Sequence, residues 1–236
     1  MGQIVYYFFA AFRVWNQYGA RPLYFSVPTG NFGDIFAGYM ARKMGLPIEK
    51  LILATNENDI LYRVLTTGIY EIDKVFPSLS PAMDIQVASN FERFLYDLFE
   101  GDSAAVESKM ADLKKTGRFV LTSTQLARAS EIFLPVRVNS QETLACIRQK
   151  ALSGLVLDPH TAVGIVAAEK SGLKNAICLA TAHAAKFQDT VEMACREKIR
   201  IPNSIAELQY KETRCLDALP NQSEIKRIIE EFLSAS

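Results

Sequence analysis

Apolar positions along this chain alternate between runs long enough for helices and short uninterrupted strings of strand length. Ile4 to Phe12 (IVYYFFAAF) is apolar throughout and predicts a helix over residues 2–18, stopped by Gly19. A helix without a polar face is expected to be covered on all sides, inside a larger body than this chain provides. Pro22 to Val27 (PLYFSV) reads as a buried strand. Residues 32–44 read as a helix stopped by Gly45 and Pro47, and Leu51 to Ala54 as another short strand. Strand, glycine-bearing loop, helix and strand make a βαβ unit, for which a right-handed crossover is expected.

Pro77 to Pro81 (PSLSP) is rich in turn residues. Helices are predicted over 90–99, 103–115 with Gly117 as stop, and 141–152 ended by Ser153-Gly154. Another spans 161–170, with Asp158 or Thr161 as N-cap and Gly172 beyond its end. Ala176 to Ala180 (AICLA) reads as a buried strand, followed by helices over 187–196 and 223–233. No internal repeat, low-complexity tract or clear linker interrupts this order. The pattern is that of an α/β fold with a mostly parallel sheet flanked by helices.

Composition narrows the function more than the fold. The 236 residues suit one large domain or two small ones, and an apolar content of 49% is enough to bury a core. Basic and acidic side chains balance at 26 each, so no basic excess points to nucleic acid or to an anionic membrane. The apolar run at 4–12 is shorter than the roughly 20 residues of a membrane-spanning helix. It also lacks the flanks of a signal peptide. Cys146, Cys178, Cys195 and Cys215 are widely spaced without a CxxC pair, which disfavours a disulfide framework or a zinc site. Reduced thiols and a cytoplasmic location are expected.

Candidate chemistry concentrates in Ser26-Val27-Pro28-Thr29-Gly30-Asn31-Phe32-Gly33-Asp34. This segment joins a predicted strand to a predicted helix, where open α/β sheets bind ligands. Gly30 and Gly33 allow a sharp turn and a close approach. Thr29 and Asn31 offer side-chain donors. The first N–H groups of the following helix are unpaired and sit at its positive end. Such a loop suits a phosphate without any lysine. It lacks the Gly-Lys-Ser/Thr ending of a P-loop, and the chain has neither GxGxxG nor the GxSxG elbow of an α/β hydrolase. Taken alone, two glycines here are more often plain turn residues. His160 and His183 are the only histidines, each beside a predicted helix start. An acid–base or metal pair is the sharper reading, and ordinary loop histidines the plainer one.

The ordered blocks around the loop sharpen this. Val27 to Asp34 (VPTGNFGD) resembles the cofactor-phosphate loop of threonine synthases, a family of the fold type II pyridoxal-phosphate class. Gln3 to Tyr7 is similar to the helix before that loop, and Ala54 to Asp59 to the following strand end. Ser80 to Ile85 with Ser89 to Arg93, Leu157 to Gly164, and Thr181 to Phe187 resemble further blocks in the same order. The resemblance implies that Gly30, Asn31, Phe32 and Gly33 give backbone N–H groups to the phosphate of pyridoxal 5'-phosphate. It implies that Asp34 closes the loop as a helix N-terminal carboxylate. It also implies that the Thr181 hydroxyl stands near the pyridine nitrogen and leaves it largely unprotonated, although as a lone residue Thr181 is equally a helix cap. Ala184 departs from the family pattern, where proline is usual. Lys186 and Arg63 are candidate anchors for a substrate phosphate and otherwise solvated charges.

The implied reaction converts O-phosphohomoserine and water to threonine and phosphate. It needs a lysine that binds the cofactor as a Schiff base. In the resembled family that lysine precedes the glycine loop, whereas here the first lysine is Lys43. Lys43 and Lys50 are expected on a helix end and in a loop, away from the family position. No catalytic residue is therefore assigned within 1–236. The chain reads as the C-terminal, phosphate-binding portion of the enzyme, inactive alone, with the missing N-terminal half as implied partner. Two alternatives stay open. One is a non-catalytic or split-enzyme binding domain. The other is a related lyase acting on a different phosphorylated amino acid.

Overall fold

The computed structural model of the chain describes residues 2–213 and 215–234. They form two compact units, Met1–Arg200 and Ile201–Ser236. In the first unit the elements run α1 (Ile4–Tyr18), β1 (Leu23–Pro28), α2 (Gly33–Lys43), β2 (Ile48–Thr55), α3 (Ile60–Thr67) and β3 (Ile69–Glu71). They continue as α4 (Phe91–Leu98), α5 (Ser103–Thr116), β4 (Arg118–Val120), α6 (Ser123–Ser130), β5 (Phe133–Arg137) and α7 (Ser140–Ala151). The unit ends with α8 (Pro159–Ser171), β6 (Ile177–Cys178) and α9 (Gln188–Cys195). The second unit holds a short α10 (Asn203–Ala206) and an amphipathic α11 (Gln222–Ser234). Among the described residues no helix is long and apolar enough to cross a membrane.

The main sheet is parallel, in the order β5-β2-β1-β6, with β1 and β2 at its centre. The expected α/β class is thus present. Both central strands are nearly all buried, from Phe25 and Val27 in β1 to Leu51, Ile52, Leu53 and Ala54 in β2. Continuous apolar strings are what a sheet covered on both faces requires. A separate antiparallel pair, β3 with β4, lies outside the main sheet.

One expectation is corrected, that of a buried strand at 176–180. Helix α1, expected to be fully covered only in a larger body, is partly covered within this chain. It buries Tyr7 and Ala11, while Val5, Tyr6, Phe9 and Phe12 lie on an exposed apolar face. The string at 176–180 is not a fully buried strand. Only Ile177 and Cys178 pair, at the sheet's edge beside β1, and both are half-buried. In both places apolar sequence marked a surface to be covered, but not what covers it.

Glycines in the left-handed region close several helices, with φ of +78° at Gly19, +73° at Gly117 and +72° at Gly172. On one side of the sheet, Phe32, Phe91, Phe94 and Phe133 form an aromatic cluster with ring centroids 5.0–6.0 Å apart in the contacting pairs. On the other, α8 packs directly on β1. A Cβ on Gly164 would lie 3.0 Å from the Pro28 ring, and the buried Ser26 hydroxyl donates to the Gly164 carbonyl at 2.6 Å. Burial, with the nearby Glu169 charge, pushes the Cys146 and Cys178 thiols up to about 11.

Candidate functional site

A cavity of about 520 Å3 opens beyond the carboxyl end of β1. Its floor is Pro28, Gly30, Asn31 and Asp34, and its walls come from α1, the 81–83 turn, α8 and Thr181. Gly30 is required here by space. A Cβ on it would meet the Ala82 carbonyl oxygen at 2.8 Å and the Met83 Cα at 3.1 Å. Among the described residues, no acceptor engages the N–H groups of Gly30, Asn31 and Phe32. They precede the first turn of α2, where the helix dipole favours an anion.

The loop holds its shape through the core. Phe32 has a φ of +69°, unusual for a residue with a side chain, and its ring is fully buried in the aromatic cluster. Holding a non-glycine residue in this region costs about 1–3 kcal/mol, which aromatic burial offsets. Two assigned donors are already engaged. The Gly33 N–H donates to Asn31 Oδ1 at 2.9 Å, and the Thr29 hydroxyl donates to the Val27 carbonyl at 2.7 Å. Asn90 secures the Asn31 carbonyl with its backbone N–H at 3.0 Å and its side chain at 3.2 Å.

Asp34 lies in the first turn of α2, as expected, and α1 reaches it. The Tyr7 hydroxyl donates to the Asp34 carbonyl at 2.8 Å and lies 3.4 Å from its Oδ1. Burial raises the Asp34 carboxyl above its ordinary range, and the Tyr7 hydroxyl works against that rise. Gly38 makes room for this contact, since a Cβ there would lie 2.5 Å from Tyr7 Cε1.

The 81–83 turn is carried by a buried polar cluster. Asp84 accepts from the Asn56 amide at 2.8 Å, the Asn58 amide at 2.9 Å and the Ser78 hydroxyl at 2.6 Å. Asn56 also donates to the Ser80 hydroxyl at 3.0 Å. In the sequence, Ser78 and Ser80 stand out as turn residues, and Asn56, Asn58 and Asp84 only through the resemblance. The physical signal was the density of Asn, Ser and Asp, side chains that bond locally to backbone.

Asp158 is the N-cap of α8. Its carboxylate accepts from the His160 N–H at 2.9 Å, His160 Nδ1 at 3.1 Å, the Thr161 N–H at 3.3 Å and the Thr161 hydroxyl. His160 Nε2 accepts the Ala82 N–H at 3.3 Å, so the ring carries its proton on Nδ1. Burial opposes the Asp158 charge, but the hydrogen bonds from His160 and Thr161 outweigh it and hold the carboxyl below its ordinary range. Thr161 Oγ1 in turn accepts the Thr181 N–H at 3.2 Å. Thr181 itself is exposed on the cavity wall.

The remaining candidates lie elsewhere. His183 is exposed and caps the turn at Ala184–Phe187 by accepting the Ala185 N–H, so the two histidines do not form a pair. Ala184, where the family pattern has proline, is buried at the start of that turn. Lys186 is exposed over the Phe187 ring. Arg63 is not a solvated charge. It bonds Asp59 at 2.9 Å and Gln86 at 3.1 Å, and Arg137 shares Asp59. Lys43 ends α2 and pairs with Asp97. Lys50 sits in β2 rather than in a loop, with its ammonium on the Ser130 and Glu131 carbonyls.

The family described as threonine synthase, C-terminal, matches residues 161–229. A threonine synthase from Pseudomonas aeruginosa is 44% identical over 227 residues, covering 94% of this chain and 48% of the relative. One from Saccharomyces cerevisiae is 45% identical over 82% of this chain and 42% of its own length. The crystal structure of yeast threonine synthase superposes with a TM-score of 0.87 at 39% identity, covering 99% of this chain and 52% of that one. A PLP-bound threonine synthase from Brucella melitensis gives 0.85 at 45% identity, over 90% of this chain and 46% of the other. In sequence and in fold the chain is similar to part of these threonine synthases, and it spans about half the length of the curated relatives it matches.

Proposed function

We propose that this chain is the cofactor-phosphate-binding portion of a threonine synthase and that its loop at 28–34 holds the phosphate of pyridoxal 5'-phosphate. The observation that carries this is Gly30. The chain turns there against the Ala82 carbonyl with no space for a side chain, and leaves three N–H groups unengaged at the positive end of α2. A ligand with several acceptor oxygens and negative charge matches that donor set.

Gly30, Asn31 and Phe32 would hold the phosphate through their N–H groups. Gly33 contributes by giving room to the Asn31 side chain, which already takes its N–H. Asp34 fixes α1 to the loop through Tyr7. Thr181, on the opposite wall, offers a neutral hydroxyl to the cofactor's ring nitrogen. When bound, the cofactor supplies an electron sink for carbanions of the substrate. In the complete enzyme the substrate is O-phosphohomoserine, and water and loss of phosphate yield threonine. The lysine for covalent attachment lies in the N-terminal half of the complete enzyme, the partner we assign to this portion, and we place the protein in the cytoplasm.

Titration of the chain with pyridoxal 5'-phosphate, followed by absorbance, tests the reading. Wild-type chain binds, and Gly30→Ala loses at least about ten-fold in affinity, as when roughly 1.4 kcal/mol of contact is removed. Equal binding by both removes the loop from the site. The purified chain forms no threonine from O-phosphohomoserine, and threonine formation would show that no second half is needed.

A further inference from the structure

One carboxylate reaches both walls of the cavity. Asp158, His160 and Thr161 are all at least nine-tenths buried, with exposures of 1%, 5% and 5%. Through His160 the Asp158 carboxylate fixes the acceptor nitrogen that holds the Ala82 N–H, on the turn that closes over Gly30. Through Thr161 it fixes the hydroxyl oxygen that holds the Thr181 N–H. Each branch is a hydrogen-bond chain of fixed direction. The Nδ1–H and the hydroxyl proton both point to Asp158, which leaves Nε2 and Oγ1 free to accept.

From this we infer that Asp158 is a positioning residue that couples the cover of the phosphate cradle to the Thr181 wall, so that both sides of the cavity are set by one group. Capping α8 does not require this. A cap needs only an oxygen for the first N–H groups, which asparagine supplies as well as aspartate. Asparagine has one acceptor oxygen, and its NH2 donates. Its oxygen can keep the two cap N–H groups and His160 Nδ1, which all meet one carboxylate oxygen, but its NH2 cannot accept the Thr161 hydroxyl proton. Asp158→Asn therefore breaks the Thr161 branch alone, whereas Asp158→Ser keeps a capping oxygen and is too short to serve either side chain. The inference rests on the proposed function for what the cavity binds, but the coupling itself can be read without any ligand.

Hydrogen exchange of individual amides in the full chain reads it directly. In Asp158→Ser the Ala82 and Thr181 amides both exchange at least ten-fold faster, while the amides of β1 and β2 keep their rates, and Asp158→Asn accelerates Thr181 alone. Thr161→Val, which keeps the shape and removes the hydroxyl, accelerates Thr181 alone. Asn139→Ala, which removes the cap of α7, accelerates neither. The inference is overturned if Asp158→Ser leaves either amide at its wild-type rate, or if both rise only in step with the whole core. Should Asp158→Ser fail to fold, an unchanged Thr181 rate in Asp158→Asn overturns it equally. A pyridoxal 5'-phosphate titration of the same proteins separates the two readings. Loss of at least ten-fold in affinity in Asp158→Ser supports the coupling, and a wild-type chain that binds none defeats the proposed function while the exchange rates still decide the coupling.

Discussion

Helices α1 and α8 flank the same cavity and are both rich in apolar residues, yet they are covered very differently. In α8 nearly every residue from Pro159 to Ala168 is buried, between the sheet on one side and α7 on another. In α1 only Tyr7 and Ala11 are buried, and Val5, Tyr6, Phe9 and Phe12 face outward. Periodicity registers how much surface a helix must bury, but not how much of it this chain buries. Ile4, Phe8, Ala10, Val14 and Trp15 are partly buried against the core, and Tyr7 is the deepest attachment of α1. Tyr7 packs on Phe25 at 4.9 Å and against Gly38, and its hydroxyl holds Asp34.

The largest effect is expected where that attachment is cut. Tyr7→Ala removes a fully buried ring and costs about 3–5 kcal/mol, measured as a shift in the urea midpoint. A loss below about 1 kcal/mol would mean that α1 is held by its other residues and that the contrast with α8 is mistaken.

Acid profiles sharpen the comparison next, because each helix bears on a buried carboxyl and the shifts are opposite. The Asp158 carboxyl is lowered. Its contribution to stability is full above the ordinary carboxylate value of about 3.9 and is lost as pH falls through its own lower value. The Asp34 carboxyl is raised, chiefly by burial. Its contribution is full below that ordinary value and is lost as pH rises through its own higher one. Denaturation midpoints from pH 2 to 7 should therefore lose part of their acid slope in Asp158→Asn and gain slope in Asp34→Asn. The same sign of change in both would contradict the assignment. The smallest effect belongs to the outer face of α1. Phe9→Ser should shift the urea midpoint by no more than about 0.5 kcal/mol, and a cost near that of Tyr7→Ala would show that this face is covered.

The sequence made the central βαβ unit and the glycine loop legible, since continuous apolar strands and a Gly-bearing connection leave few other readings. Several short elements were not. β5 contains Pro135, which argues against a strand until its place at the sheet edge is known. α3 is eight residues long, is parted from β2 only by Asn56-Glu57-Asn58-Asp59, and starts without a side-chain cap to mark it. α6 did carry a signal, the capping box of Thr122 and Gln125, and was missed because its apolar content is low. At the site, the floor could be read from Gly30 and Gly33. The cover could not, because Ala82 and Met83 are ordinary residues brought there by Asn56, Asn58 and Asp84 across the fold.

Phe32 gives the loop a property that a glycine in its place would lack. Its backbone belongs to the glycine loop and its ring to the packing of Phe91, Phe94 and Phe133. Under the proposed function, a ligand on the loop would therefore bear on the core as well. At a hundred times its dissociation constant it would add about 2.7 kcal/mol to the folded state as a whole. Heat resistance would then gauge how much of that ligand the surroundings hold.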